Sequence, residues 1–137
     1  VMRAQQLLLA ELDQRLKPFD ITFARYEVLV LLTFSKRKSL PLSKIGERLM
    51  VHPTSVTNAI QRLEAQGLVG RLTDPADGRR TLATLTPAGR ALTKKATKVL
   101  MDADFALTGL TPDDEAALYG LLRQFRASAG DFPADDA

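Results

Sequence analysis

The stretch LSKIGERLMVHPTSVTNAIQRLEAQGLVGRLTDPADGRRTLATLTPAG, residues 42–89, decides how this chain folds. Ile45 and Leu49 fall on one face of a short helix predicted over 43–50, and Val56, Ile60 and Leu63 recur at spacings of four and three on the next. Val51 ends the first helix. His52 and Pro53 open the second, because proline suits the first helical position. Gly67 is a left-handed stop. Beyond it the period changes: 68–73 and 80–85 have the β-branched, alternating character of strands. Between them Asp74-Pro75-Ala76-Asp77-Gly78 is a dense turn signal. The stretch therefore predicts helix, turn, helix and β-hairpin.

Upstream, Leu8, Leu12 and Leu16 recur every four residues, with Leu9 beside them, and predict a helix over 3–16. Lys17 precedes Pro18 and disfavours helical geometry, so the helix stops there. Thr22 caps a second helix reaching Phe34. Its Val28, Leu29, Leu31 and Leu32 are apolar on most sides and put it at the centre of the core. Lys36, Arg37 and Lys38 form a basic loop. Downstream, Thr86-Pro87 caps a long helix predicted to run to about Gly109. Thr111-Pro112-Asp113-Asp114 caps a last helix ending near Gly130, its acids suited to the positive helix start. The expected fold class is mostly α with a small β-hairpin. Residues 1–137 are expected to form a single chain around one core, with an acidic, frayed tail over 131–137.

Composition narrows the function. The chain is 45% hydrophobic and 26% charged, ordinary for a water-soluble fold, and it has no Trp, so aliphatic packing supplies most of the core. With no Cys, it holds no disulfide, thiol nucleophile, thiol redox sensor or thiolate zinc site. One His with scattered carboxylates is a poor shell for a transition metal, so neither metal nor cofactor is expected. No apolar run approaches the roughly 20 residues that span a bilayer, and the cytoplasm is the expected compartment. No nucleophile elbow or phosphate-binding glycine loop is present, and Asp113-Asp114-Glu115 reads as first-turn capping; an enzyme is not expected.

The formal charge of +3 conceals an uneven distribution. From Lys36 to Lys98 there are 13 Lys and Arg against 4 Asp and Glu, a net +9, while the flanks carry 6 against 12, a net −6. A basic centre between acidic ends is the electrostatic footprint of a nucleic-acid binder. Opposite Val56, Ile60 and Leu63, the second helix presents Thr54, Ser55, Thr57, Asn58, Gln61 and Arg62, and Glu64 is its only carboxylate. Short donors and acceptors with one guanidinium suit base edges and phosphates in a major groove. Arg79 and Arg80 follow the hairpin turn and Arg71 precedes it. An arginine at the tip of a narrow ribbon suits the minor groove, and Asp77 can hold one in place. These parts are those of a winged helix-turn-helix. With Ser43 and Lys44 on the supporting helix, they complete the candidate DNA-binding set.

Leu42 to Leu49 resembles the supporting helix of the MarR family of bacterial regulators. His52 to Val69 is similar to that family's recognition helix and entry to the wing. Asp74 to Arg80, followed by Leu85-Thr86-Pro87-Ala88-Gly89, resembles its wing and the start of the next helix. His52 departs from the pattern, which more often has Ser or Thr there, a better cap.

The resemblance implies a winged-helix lobe over 22–86 and a homodimer built by helices within 1–18 and 95–130. Leu8, Leu12, Leu118, Leu121, Leu122 and Phe125 are the candidate interface. It also implies a cleft for a small aromatic or phenolic acid, for which Arg15, Phe19, Phe23, Tyr26, Met50 and His52 are the candidate lining, with Arg25 as a second candidate cation. The expected function is a sequence-specific regulator of double-stranded DNA, a repressor on a pseudo-palindromic operator that such a ligand releases. A winged-helix protein-interaction module and a sequence-indifferent DNA binder remain open alternatives.

Overall fold

The computed structural model describes residues 1–132. The first helix, α1 (Met2–Leu16), runs into a 3₁₀ turn over Lys17–Phe19, with Asp20 left-handed at its end. The second, α2 (Phe23–Phe34), begins where expected: Thr22 Oγ1 accepts from the Arg25 amide, and Asp13 Oδ1, on α1, accepts from the Phe23 amide at 2.7 Å. One carboxylate thus ties two helices and meets the positive start of α2.

A short strand, β1 (Ser39–Pro41), precedes α3 (Leu42–Leu49) and α4 (Pro53–Ala65). Then come β2 (Val69–Asp74), β3 (Asp77–Leu85), α5 (Pro87–Asp102), a 3₁₀ turn over Asp104–Ala106, and α6 (Pro112–Ser128). The expected two-stranded hairpin is in fact a three-stranded antiparallel sheet of order β1-β3-β2, with Ser39 opposite Thr84 and Leu72 opposite Leu82. Three residues ending in proline carry too little alternation to read as a strand; only pairing with β3 makes β1 one. Its edge position also spares the missing proline donor.

Two tight contacts fix the order of elements. At Gly46 a side chain would press on the Val51 carbonyl at 3.0 Å and on Val56, so the absence of a Cβ lets the turn fold over α3. That turn is made by Met50 in the left-handed region, with the Val51 amide bonded to the Gly46 carbonyl at 2.9 Å. At Gly89 a Cβ would stand 2.0 Å from the Leu68 carbonyl, so the first turn of α5 lies directly on the end of the recognition segment. Thr86 locks this joint: its hydroxyl donates to the Gly67 carbonyl and accepts from the Gly89 amide.

The core gathers Leu16, Leu29, Leu32, Ile45, Ile60, Leu63 and Leu100, all fully buried, so α2 is as central as its composition predicts. Leu12 is also buried, at 6% exposure. It is among the residues expected at a dimer interface, but the single chain already buries it: α1 packs on α2 and α5, and Leu12 and Leu16 are its buried residues. The long helix ends at Asp102 rather than near Gly109. Asp104, Phe105 and Ala106 all adopt positive φ, at 52°, 48° and 65°, which no right-handed helix accommodates. Residues Val1–Ala106 form one compact unit, and a second begins at Leu107 and contains α6. Of the expected frayed tail, residues 133–137 lie outside the described residues. Among the described residues no helix is long and apolar enough to cross a membrane.

Candidate nucleic-acid interface

Helices α3 and α4, the turn between them and the β2–β3 ribbon follow one another without a break in the first unit. On α4, Val56, Ile60 and Leu63 are buried, while Thr54, Ser55, Asn58, Gln61 and Arg62 are exposed. Thr57 is half-buried and its hydroxyl donates to the Pro53 carbonyl, so it is partly committed to its own helix. Ser43 and Lys44 are exposed on α3, and Lys44 pairs with Glu47 at 3.3 Å.

Arg71 is placed differently from the expectation of a free contact. Its Nη2 lies 2.9 Å from Glu64 Oε1 and its Nε donates to the same oxygen at 3.1 Å. The arrangement bridges α4 to β2. It also neutralises the only carboxylate of the helix, so the exposed face of α4 carries Arg62 without a competing negative charge. The pairing was hidden in the sequence because the two residues meet only after Gly67 reverses the chain.

At the tip of the ribbon Asp74 accepts from the Ala76 amide within the two-residue turn of Pro75 and Ala76, and Asp77 accepts from the Arg79 amide just beyond it. Arg80 Nε stands 3.7 Å from Asp74 and Arg79 Nε 3.7 Å from Asp77. Arg79 keeps a side-chain exposure of 95%. The carboxylates pin the backbone here, and the Arg79 guanidinium, near Asp77, stays in solvent.

His52, read as a poor cap, does cap α4: its Nδ1 accepts from the Thr54 amide at 3.1 Å. It is exposed, and it does not line the cavity that lies between α2 and α5.

Residues 23–81 match the MarR family model. A solved MarR family transcriptional regulator from Streptomyces coelicolor is 54% identical with a TM-score of 0.89, the match covering 96% of this chain and 91% of that one. The chain belongs to the MarR family. A second Streptomyces coelicolor MarR family regulator, solved in complex with DNA, is 26% identical with a TM-score of 0.83 over 98% of this chain and 84% of that one. A curated relative, the HTH-type transcriptional regulator TtmR of Methylorubrum extorquens, is 33% identical over 124 residues, which is 86% of this chain. The match spans 62% of that relative's length.

This MarR protein holds a cavity of about 500 Å³ between α2 and α5. Tyr26, Val30, Phe34 and Phe105 give it apolar walls, Thr33, Thr93 and Thr97 supply hydroxyls, and Arg90 and Lys94 stand on its lining as cations. Tyr26 and Thr97 share a hydrogen bond of 2.6 Å. Of the six expected lining residues only Tyr26 is there. Phe19 and Phe23 pack against the core, the Phe23 ring 5.7 Å from that of Tyr26. Arg15 is exposed and paired with Glu11, and Met50 is 88% exposed as the left-handed residue that turns the chain between α3 and α4. The legible signal for the wall of this cavity was on α5, where Arg90 and Lys94, and Thr93 and Thr97, each recur at i+4. Among the described residues no group of three or more His, Asp or Glu is gathered as a metal site would require. In the second unit, Leu118, Tyr119, Leu121, Leu122 and Phe125 of α6 are all exposed; Leu8 of α1, in the first, is half-buried.

Proposed function

We propose that this chain is a sequence-specific regulator of double-stranded DNA, a repressor, that works as a homodimer on a pseudo-palindromic operator. One observation carries the reading: the exposed face of α4 offers amides, hydroxyls and Arg62 with its only carboxylate neutralised by Arg71. Such a face suits base edges, where a buried-in-groove carboxylate would repel phosphates. The presented Arg79 supports it, and so does the solved relative in complex with DNA. Exposed Leu121, Leu122 and Phe125 support self-association, since an apolar row on a surface helix is a cost unless a partner covers it. Two copies related by a two-fold axis would read two half-sites one helical turn apart.

The effector reading is kept, with its site moved to the α2–α5 cavity. Its volume is that of a small-molecule pocket. Apolar walls with Arg90 and Lys94 suit a compact aromatic carboxylate. A ligand that binds one dimer arrangement better than another shifts the population away from the spacing DNA requires.

The test is binding of the purified protein to the DNA upstream of its own gene, titrated against salt and against random duplex. Tight binding that survives competitor and falls steeply with salt is expected. Binding that competitor abolishes means sequence-indifferent coating, and no binding to either duplex means a protein-interaction module.

A further inference from the structure

The only histidine of the chain stands at the entry of the recognition helix, and its two ring nitrogens are in different situations. Nδ1 accepts a hydrogen bond from the Thr54 amide, 3.1 Å away. An imidazole nitrogen that accepts carries no proton, so in the neutral ring the proton is on Nε2. The cap thus selects one tautomer and turns Nε2 into a donor. That donor has no partner within the protein among the described residues, and His52 is exposed. Ser or Thr at this position caps with a short side chain that ends at the helix start. A histidine makes the same cap and carries a second donor further out, on the far side of the ring.

We propose that His52 is a DNA-backbone contact: Nδ1 holds the start of α4 while Nε2–H donates to a phosphate oxygen beside the groove that α4 enters. The inference rests on the DNA reading above. It does not invoke the free amides of the helix start, because the Thr54 amide is already taken by the ring. The contact is made by a neutral donor, which sets it apart from Arg62 and Arg79. A neutral group displaces no counterion, so it adds affinity without adding to the salt dependence.

His52→Ser keeps a capping oxygen and removes the reach, and His52→Ala removes both. The two variants and the unmutated protein are compared by thermal unfolding and by titration onto the DNA upstream of the chain's own gene and onto a random duplex. His52→Ser is expected to melt with the unmutated protein yet bind both duplexes about tenfold more weakly, at unchanged dependence on salt. His52→Ala is expected to lose the same affinity and also to melt earlier. The proposal is overturned if His52→Ser binds as the unmutated protein does, since His52 is then a cap alone. It is equally overturned if the loss comes with a shallower salt dependence, since the contact is then a charge. Failure of the unmutated protein to bind either duplex removes the DNA reading itself and this contact with it.

Discussion

Single residues here act mainly through what they leave room for and what they neutralise. Gly89 has no tolerance for a side chain, because a Cβ would sit 2.0 Å from the Leu68 carbonyl, which is backbone and cannot swing away. Gly89→Ala is expected to cost about 2–3 kcal/mol, read as a lower urea midpoint at unchanged slope. Arg79 and Asn58 separate the two kinds of DNA contact. Arg79→Ala, removing an exposed cation at the ribbon tip, should weaken binding to every sequence and reduce the salt slope by about one per protomer. Asn58→Ala should leave the slope intact and relax preference at one base position. Equal losses from both changes on matched and mismatched duplexes, measured by the same titration, would contradict that division.

At the scale of elements, two helix carboxylates give the pH dependence opposite signs. In α6 the Thr111 amide donates to Asp114 and the Asp114 amide to the Thr111 hydroxyl, a reciprocal capping box. The Thr111 amide and hydroxyl hold the Asp114 carboxyl below its ordinary 3.8. The folded value is depressed, so this stabilisation is fully present above pH 3.8 and is lost as the pH falls through the lower folded value. Amide exchange at the start of α6 should therefore accelerate on acidification beyond the intrinsic trend, and Asp114→Asn should remove that excess. Glu27, half-buried on α2, has the opposite sign: desolvation raises its carboxyl above the ordinary 4.5. The folded state then holds the proton more tightly, and stability declines as the pH rises from 4.5 through the raised value. Glu27→Gln should raise the melting temperature at pH 7, with the gain vanishing below pH 4.5.

At the scale of the whole molecule, the apolar row on α6 bears on assembly. The helix α6 buries no residue within this chain, and Phe125 is 68% exposed. With the dimer proposed above, Leu121→Glu combined with Phe125→Glu should give a monomer in sedimentation, with α1 to α5 still folded by circular dichroism. A monomer has one recognition helix, so operator affinity should fall by at least a hundredfold while weak, salt-sensitive binding persists. An undiminished dimer would move the interface elsewhere.

The local signals in the sequence were strong wherever a residue's chemistry is spent within a few neighbours. Thr22, Thr86 and Thr111 each cap the helix that follows them, Gly67 adopts φ 76°, and Val56, Ile60 and Leu63 are buried on one stripe. The polar face of α4 and the carboxylate-pinned turn before Arg79 follow from such rules and were legible in advance. Tertiary structure alone decided what depends on segments far apart. It made Ser39–Pro41 a strand by pairing it with Thr84, and it took Leu12 into the core. It joined Arg71 to Glu64 and brought Tyr26 to Thr97, 71 positions away, on the wall of a cavity. It ended α5 early at three left-handed residues that no helix-stop signal marks. Capping and periodicity are short-range and leave a trace in spacing, whereas a cavity wall or an ion pair needs two surfaces that meet only when the chain has closed on itself.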